Sequence, residues 1–370
     1  MDIEKYIELN YPSGKQTVYN IRNQLTCFFD YIKIKPEEYV NEDRDIKKDI
    51  KEYYGYLVKS NSKKTGRPFA PKTIIVYMSA LRGYLEEHDI IFSPRFWKKL
   101  HKKGKGNDTI LEDRIPTREE LEKILTHGNS RDRAFFMIML SSGMREEELC
   151  KITDKHIDFE SNPVMIKIPA HISKTKKRRF TFISIEAKTS LLEWLKIKDA
   201  YFKNKVKKSK GLKDYFKHKY GIQLRLEEGG NRIFPYRPNA PQTWWNRLLN
   251  KAGFTDKDPN TGYYTLHLYT LRKFANTKLK TVCNMLMVDM WIGHEVPYDY
   301  EKWTLQEHKQ EYNKGMNNLL VYRTPANIEE VEKLKEKVDE IKVLKQSYEK
   351  LKEDMDKLMR DRLKDQYEKE

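Results

Sequence analysis

Apolar positions near the start of the chain step by three and four. In TVYNIRNQLTCFFDYI, Val18, Ile21, Leu25, Phe28, Phe29 and Ile32 keep that spacing, which predicts an amphipathic helix over 17–32 with Thr17 as its N-cap. The period returns in DIKKDIKEYYGYLVK and in PKTIIVYMSALRGYLEEHD, where Pro71 suits a first helical turn. Between these two runs, NSKKTGRP is polar, basic and rich in turn formers. Residues 1–97 therefore read as a small helical domain with basic loops. The period then disappears. KKLHKKGKGNDTILEDR, residues 98–114, is charged and contains glycine, so it reads as a basic linker.

A second domain, 115–325, opens at IPTREELEKIL, with Thr117 and Glu120 in capping-box spacing. RAFFMIML is continuously apolar and predicts a buried helix. PVMIKIPAHISKTKKRRFTFIS alternates, which predicts two strands joined by a basic tip, SKTKKRR. Further helices are expected at SLLEWLKIKDAYF, QTWWNRLLNKAGF and LRKFANTKL, with Trp244 and Trp245 as core. KNKVKKSKGLKDYFKHKYG follows neither period and reads as an insertion. The fold class is α+β, mainly helical, with a small antiparallel sheet. In the tail, 326–370, Val331, Leu334, Val338, Ile341, Leu344, Tyr348, Leu351, Met355 and Leu358 form a seam of three- and four-residue steps, which predicts a self-associating coiled-coil helix.

Charge adds a partner to this picture. The chain has 72 Lys and Arg against 55 Asp and Glu, a formal charge of +17. The tail is slightly acidic, so the excess belongs to the two preceding domains and points to a polyanion, most simply nucleic acid. Cys27, Cys150 and Cys283 lie far apart in apolar surroundings, as reduced core thiols do, and offer neither a disulfide framework nor a metal cluster. No apolar run approaches the roughly 18 residues that cross a bilayer, and the N-terminus lacks a signal-peptide profile. The expectation is an intracellular, cytoplasmic protein with no membrane partner.

Three charged or polar groups stand at the edges of apolar elements. In SSGMREEELCKITDKHIDF, Arg145 follows a small-residue turn at the end of the apolar helix. In HLYTLRKFANTKL, Arg272 opens a helix three residues after Tyr269, and WIGHE sets His294 after another apolar helix. A bland reading remains for each: Arg145 and Glu148 as a structural ion pair, and His294 as a satisfied helix-end histidine.

The order of these pieces resembles the tyrosine recombinases, the phage integrase family, over about residues 15–320. A helical basic domain, a linker, S-G-M-R-x-x-E-L, an S-K-T hairpin, an L-R-K helix, I-G-H and then tyrosines follow one another as in that family. The resemblance implies a SAM-like core-binding domain and a mixed catalytic domain that close on duplex DNA. It implies Arg145 and Arg272 as catalytic arginines, Glu148 as an orienting carboxylate, Lys174 as the hairpin lysine and His294 as the histidine or tryptophan position that follows the second arginine in the family's motif order. Lys176 or Lys177 could replace Lys174, since all stand in one basic run.

Two departures from the family appear. Tyr269 occupies the position of the usual histidine, while His267 lies two residues away and would point elsewhere; such a tyrosine resembles a variant among archaeal integrases. A phenol, with an ordinary pKa of about 10, can donate to a phosphate oxygen but is a poor base at neutral pH. The usual nucleophile position, nine residues beyond His294, holds Trp303. Tyr300 is the expected nucleophile, with Tyr312 and Tyr298 as alternatives. Tyr312 also reads as packing within the following helix.

The implied reaction is site-specific recombination through a 3′-phosphotyrosine, with no metal or other cofactor. Arginine forks stabilise charge on non-bridging oxygens of a five-coordinate phosphorus, and a lysine can protonate the leaving 5′-oxygen. Phosphate contacts are expected from Lys63, Lys64 and Arg67, from Lys102, Lys103 and Lys105 of the linker, and from Lys176, Lys177, Arg178 and Lys273. Two duplexes imply a homo-oligomer, a tetramer to which the tail could contribute, associated with the nucleoid when bound to DNA. The competing readings are a type IB topoisomerase-like enzyme and a silent DNA-binding scaffold.

Overall fold

The computed structural model describes residues 2–12, 15–40, 44–62, 66–101, 113–208, 232–259, 261–296, 303–322 and scattered positions from 341 to 355. They fall into two compact units, Met1–Glu112 with Lys257–Thr265, and Asp113–Asp256 with Leu266–Glu370.

The first unit is helical: α1 (Ile3–Asn10), α2 (Lys15–Ile32), α3 (Pro36–Tyr39), α4 (Ile46–Lys59), α5 (Pro71–Glu86) and α6 (Pro94–His101). Their apolar faces meet in an aromatic-rich core, where the buried Phe28 ring meets Tyr39 and Tyr53 edge-on at 5.3 and 5.0 Å, the orientation that ring quadrupoles favour. Pro71 stands at the start of α5 as expected. Two expectations are corrected. α2 begins at Lys15, so Thr17 lies inside its first turn and is not the N-cap. α6 continues past 97, because Trp97 and Leu100, three residues apart, both bury in the helical core; residues 98–101 are therefore helix and not linker.

The second unit is mixed. It begins with α7 (Arg118–Thr126), whose Thr117–Glu120 capping box is complete, and α8 (Ser130–Ser142). α9 (Glu146–Leu149), β1 (Ile157–Asp158), β2 (Val164–Ile168), β3 (Arg179–Ile183) and α10 (Ile185–Lys208) follow. After them come α11 (Ala240–Ala252), α12 (Tyr269–Lys280), α13 (Met285–Ile292) and α14 (Leu305–Met316). The strands form one antiparallel sheet in the order β1–β2–β3, with Ile166 opposite Thr181 and Ile168 opposite Arg179.

α8 is the centre of this unit. Its continuously apolar surface is buried on all sides by α10, α12 and β3, as a helix without a polar face must be. It ends at Gly143, which takes the left-handed conformation (φ 62°). A Cβ there would stand 2.6 Å from Ile292 Cγ2, so both the backbone angle and the lack of room call for glycine. Trp244 and Trp245 are core residues, as are Cys150 and Cys283, while Cys27 is half-buried; all three thiols are free.

Among the described residues no helix is long and apolar enough to cross a membrane. Of the tail seam, Val331, Leu334, Val338, Leu351 and Leu358 lie outside the described residues. Ile341, Leu344, Tyr348 and Met355 are helical and exposed.

Candidate active site

The left-handed turn at Gly143 directs the chain out of α8 so that Arg145 becomes the N-terminal flank of the short helix α9. Glu148, one turn on, is only 1% exposed and carries a full charge into the interior. Its carboxylate accepts the Arg145 backbone N–H at 3.1 Å and Arg145 Nη1 at 3.3 Å. A second cation completes the arrangement. Arg179, the first residue of β3, donates Nη2 to Glu148 Oε2 at 2.5 Å and Nη1 to Oε1 at 3.0 Å, a two-pronged pairing. Burial pushes the Glu148 carboxyl up, but the Arg179 fork and the charges of Arg179 and Arg145 outweigh burial and hold it below the ordinary carboxylate range.

That depression fixes a pH dependence. A carboxylate whose folded pKa lies below its unfolded value of about 4.3 contributes stability above that value and loses it as pH falls through the folded pKa. Glu148→Gln is therefore expected to flatten the acid limb of a melting-temperature profile. Glu148→Ala, which leaves two arginines facing an empty space, should cost about 3–5 kcal/mol near neutrality. Chemical denaturation would measure the loss, and a change within error of zero would contradict the buried-pair geometry.

Arg272, in the first turn of α12, is 2% exposed. Its Nη1 donates to the Gly143 carbonyl, while Nε and Nη2 are buried without a partner. Burial lowers its pKa, and the positive charge of nearby Arg145 lowers it further. The two arginines thus share one environment, and one of them presents two unsatisfied donors. Tyr269 opens α12 and is 46% exposed. His267 is turned away, with Nε2 3.0 Å from Asp113 Oδ2, and Asp113 also takes the Lys273 ammonium at 2.5 Å.

His294 follows the left-handed Gly293 at the end of α13, and its Nδ1 lies 2.8 Å from Asp289 Oδ1, which fixes the ring. The Gly293 carbonyl accepts a long bond from Arg145 Nη2, 3.5 Å, bringing the His294 turn to the same place. Lys174 stands exposed on the β2–β3 hairpin, as do Lys176, Lys177 and Arg178. A cavity of about 670 Å³ opens between the hairpin, the end of α13 and the start of α14, lined among others by Arg178, Arg179, Trp291, His294 and Trp303.

The tyrosines separate. Tyr312 in α14 is fully buried and its hydroxyl donates to the Ser141 carbonyl at 2.9 Å, and burial pushes its phenol pKa well up. It ties α14 to the end of α8, the packing role foreseen for it. Tyr298 and Tyr300 lie outside the described residues, as do Lys63, Lys64, Lys102, Lys103 and Lys105. Arg67 is half-buried, its guanidinium packed against Gly262. Among the described residues no three His, Cys, Asp or Glu side chains gather as a metal site requires.

Arg145, Glu148, Arg272 and the His294 turn converge, and the family model that matches the chain covers them all. It is that of the phage integrase family, over residues 115–297. The chain belongs to this family, the tyrosine recombinases. It is 25% identical to a tyrosine recombinase XerA of Saccharolobus solfataricus over 315 residues, 83% of this chain and 89% of that one. A tyrosine recombinase XerA of Thermococcus onnurineus is 29% identical over 108 residues, 27% of this chain and 34% of that protein. Two solved structures share the fold. The Tn1549 transposon integrase in complex with transposon right end DNA has a TM-score of 0.52 at 17% identity, covering 84% of this chain and 97% of that one. A lambda integrase dimer bound to a COC′ core site has a TM-score of 0.51 at 13% identity, covering 82% and 96%.

Arg179 is the residue of this recombinase that sequence reasoning missed. It stood in a run of look-alike cations, and only strand parity could have singled it out. Arg179 and Thr181 lie two apart on β3 and so share a face, and the Thr181 hydroxyl donates to the Ser142 carbonyl at 2.9 Å.

Proposed function

We propose that the chain is a site-specific DNA recombinase that cleaves and rejoins duplex DNA through a 3′-phosphotyrosine. One observation carries this reading: Arg272 is buried beside Arg145 with two guanidinium N–H groups unpaired. Buried donors are nearly always satisfied, so an unpaired, desolvated fork beside a second arginine suits an anion with two acceptor oxygens. A backbone phosphate fits. The net charge of +17 agrees with that ligand, as does the transposon right end DNA held by the Tn1549 integrase.

In the proposed step Tyr300 attacks phosphorus while Arg145 and Arg272 hold the non-bridging oxygens, where charge grows as five-coordination is reached. Tyr269 donates to one of the same oxygens. A P–O bond to the phenol forms, the P–O5′ bond breaks, and the Lys174 ammonium gives its proton to the departing 5′-oxygen. The proton lost by the phenol balances that gained by the 5′-oxygen, and the number of phosphodiester bonds is unchanged, so a second 5′-hydroxyl can reverse the step. His294, held by Asp289, donates to the phosphate or receives the phenol's proton. Lys176, Lys177 and Arg178 on the hairpin, with the basic residues around 63–67 and 102–105, contact flanking phosphates. Lys273 does so only after leaving Asp113.

Recombination joins two duplexes, and a tetramer is the proposed assembly; a lambda integrase tetramer bound to a Holliday junction shares the fold at a TM-score of 0.51. The exposed apolar side chains of Ile341, Leu344, Tyr348 and Met355 support self-association of the tail. A suicide duplex nicked beside the scissile phosphate tests the chemistry. The full chain should form a denaturation-resistant adduct with it and transfer the strand to a second duplex. Relaxation of a supercoiled circle without transfer would favour the topoisomerase-like reading, and binding without adduct would leave a silent scaffold.

A further inference from the structure

We infer that Arg179 is a positioning residue for strand cleavage, one that locks the turn before Lys174 and the turn before His294 onto the buried carboxylate of Glu148. The inference rests on the proposed role of Lys174 as proton donor. Arg179 lies on β3, five positions beyond Lys174, and its own side chain is 8% exposed. It has no access to a DNA phosphate of the kind that Lys176 or Lys177, exposed at the tip, could reach.

Its guanidinium bonds instead to three separate elements. Nη1 and Nη2 grip Glu148, the residue that also orients Arg145. Nη1 reaches the hydroxyl of Ser173 at 3.4 Å, and Ser173, buried, immediately precedes Lys174 and bonds Thr175 on its other side at 3.0 Å. Nε donates to the Trp291 carbonyl at 3.2 Å, three residues before His294.

Gly293 lies flat against the same guanidinium. A Cβ there would stand 2.8 Å from Arg179 Nε, and φ is +77°, so the turn that delivers His294 is shaped to admit Arg179. An exposed lysine on a hairpin tip has many rotamers, and the hairpin could flex. Anchoring the residue before it to a buried, doubly bonded ion pair restricts the backbone from which that lysine extends. A general acid held within hydrogen-bond reach of its target is worth about 10²–10⁴-fold in rate. A displacement of roughly 1 Å can cost 10²-fold.

A leaving group that needs no proton separates this role from a merely structural one. The full-length chain, Lys174→Ala, Arg179→Met and Arg179→Lys are compared on two suicide duplexes, one ordinary and one carrying sulfur in place of the bridging 5′-oxygen. A 5′-thiolate departs unprotonated. Arg179→Met is expected to cleave the oxygen duplex at least roughly 10-fold more slowly than wild type and the sulfur duplex within about 3-fold of it. Lys174→Ala should show the same rescue. Arg179→Lys keeps the charge without the fork, guards against a folding failure, and should show the same pattern more weakly.

Equal loss on both duplexes would overturn the inference, since Arg179 would then act through Arg145 or the fold alone; no loss on either would also overturn it. If wild type forms no adduct, the proposed function itself fails and this inference with it; if sulfur does not rescue Lys174→Ala, the role of Lys174 as proton donor fails, and with it the inference that rests on that role. Either outcome is visible without any Arg179 variant.

Discussion

Tyr300→Phe should abolish the covalent adduct, while Tyr312→Phe should retain it. Both substitutions remove one hydroxyl, and the contrast comes from where that hydroxyl is. The Tyr312 oxygen is wholly buried and already spends its proton on the Ser141 carbonyl. Attack on phosphorus needs a phenol that can lose its proton and approach a polyanion, and burial of this one opposes both. Removing it should lower stability by about 1 kcal/mol, the usual net worth of one hydrogen bond, and leave the chemistry intact. Tyr300 stands in the segment between His294 and α14, a few residues beyond that histidine. Its loss should reduce cleavage below detection, because phenylalanine offers no nucleophile. Denaturing electrophoresis with labelled duplex reads both results, and peptide mapping of the wild-type adduct names the tyrosine directly. A surviving adduct in Tyr300→Phe that disappears in Tyr298→Phe would move the nucleophile by two residues without disturbing the rest of the site.

Arg272→Met should slow cleavage by roughly 10²–10³-fold, the cost of removing one preorganised donor group from a developing oxyanion. The same substitution should raise the melting temperature. Without a phosphate, Arg272 buries a charge with one backbone bond, two idle donors and a like charge from Arg145 close by. An apolar chain of similar length avoids that desolvation and can fill the space. Inorganic phosphate or sulfate should accordingly stabilise the wild type, by mass action, more than the variant. A melting temperature that falls by several degrees, with cleavage intact, would mean that Arg272 serves the fold and not the reaction.

Much of this site could be read from the chain before any coordinates. Arg145 was recognisable because Gly143 interrupts a continuously apolar run, and the left-handed cap after α8 is where such an interruption leads. Arg272 was recognisable because it stands near the start of a helix, three residues after Tyr269. The capping box at Thr117 and the basic hairpin followed from local chemistry alone. What was missed shares one cause. Periodicity tells which residues share a face but not which face turns inward. β3 alternates Arg179, Thr181 and Ile183 with Phe180 and Phe182, and nothing local says that the face carrying an arginine meets α8. α6 exceeded its expected end for a related reason, since Trp97 and Leu100 continue a helix that the basic composition around them disguised. The pairing of Lys273 with Asp113 joins residues 160 positions apart, a distance over which no local pattern speaks.

Glu148, between Arg145 and Arg179, has a counterpart among the described residues. Asp132, 0% exposed, lies between Arg131 and Arg247, and Arg131 stacks 3.7 Å over the Trp244 ring. Hydration of ions weakens on heating, so the penalty for keeping these charges out of water shrinks as temperature rises, while apolar burial gains little. The catalytic unit therefore holds its arginines in place by an interaction that strengthens, relative to the rest of the fold, in hot water. Warming should therefore loosen other contacts before it disturbs the scaffold around Glu148 and Asp132.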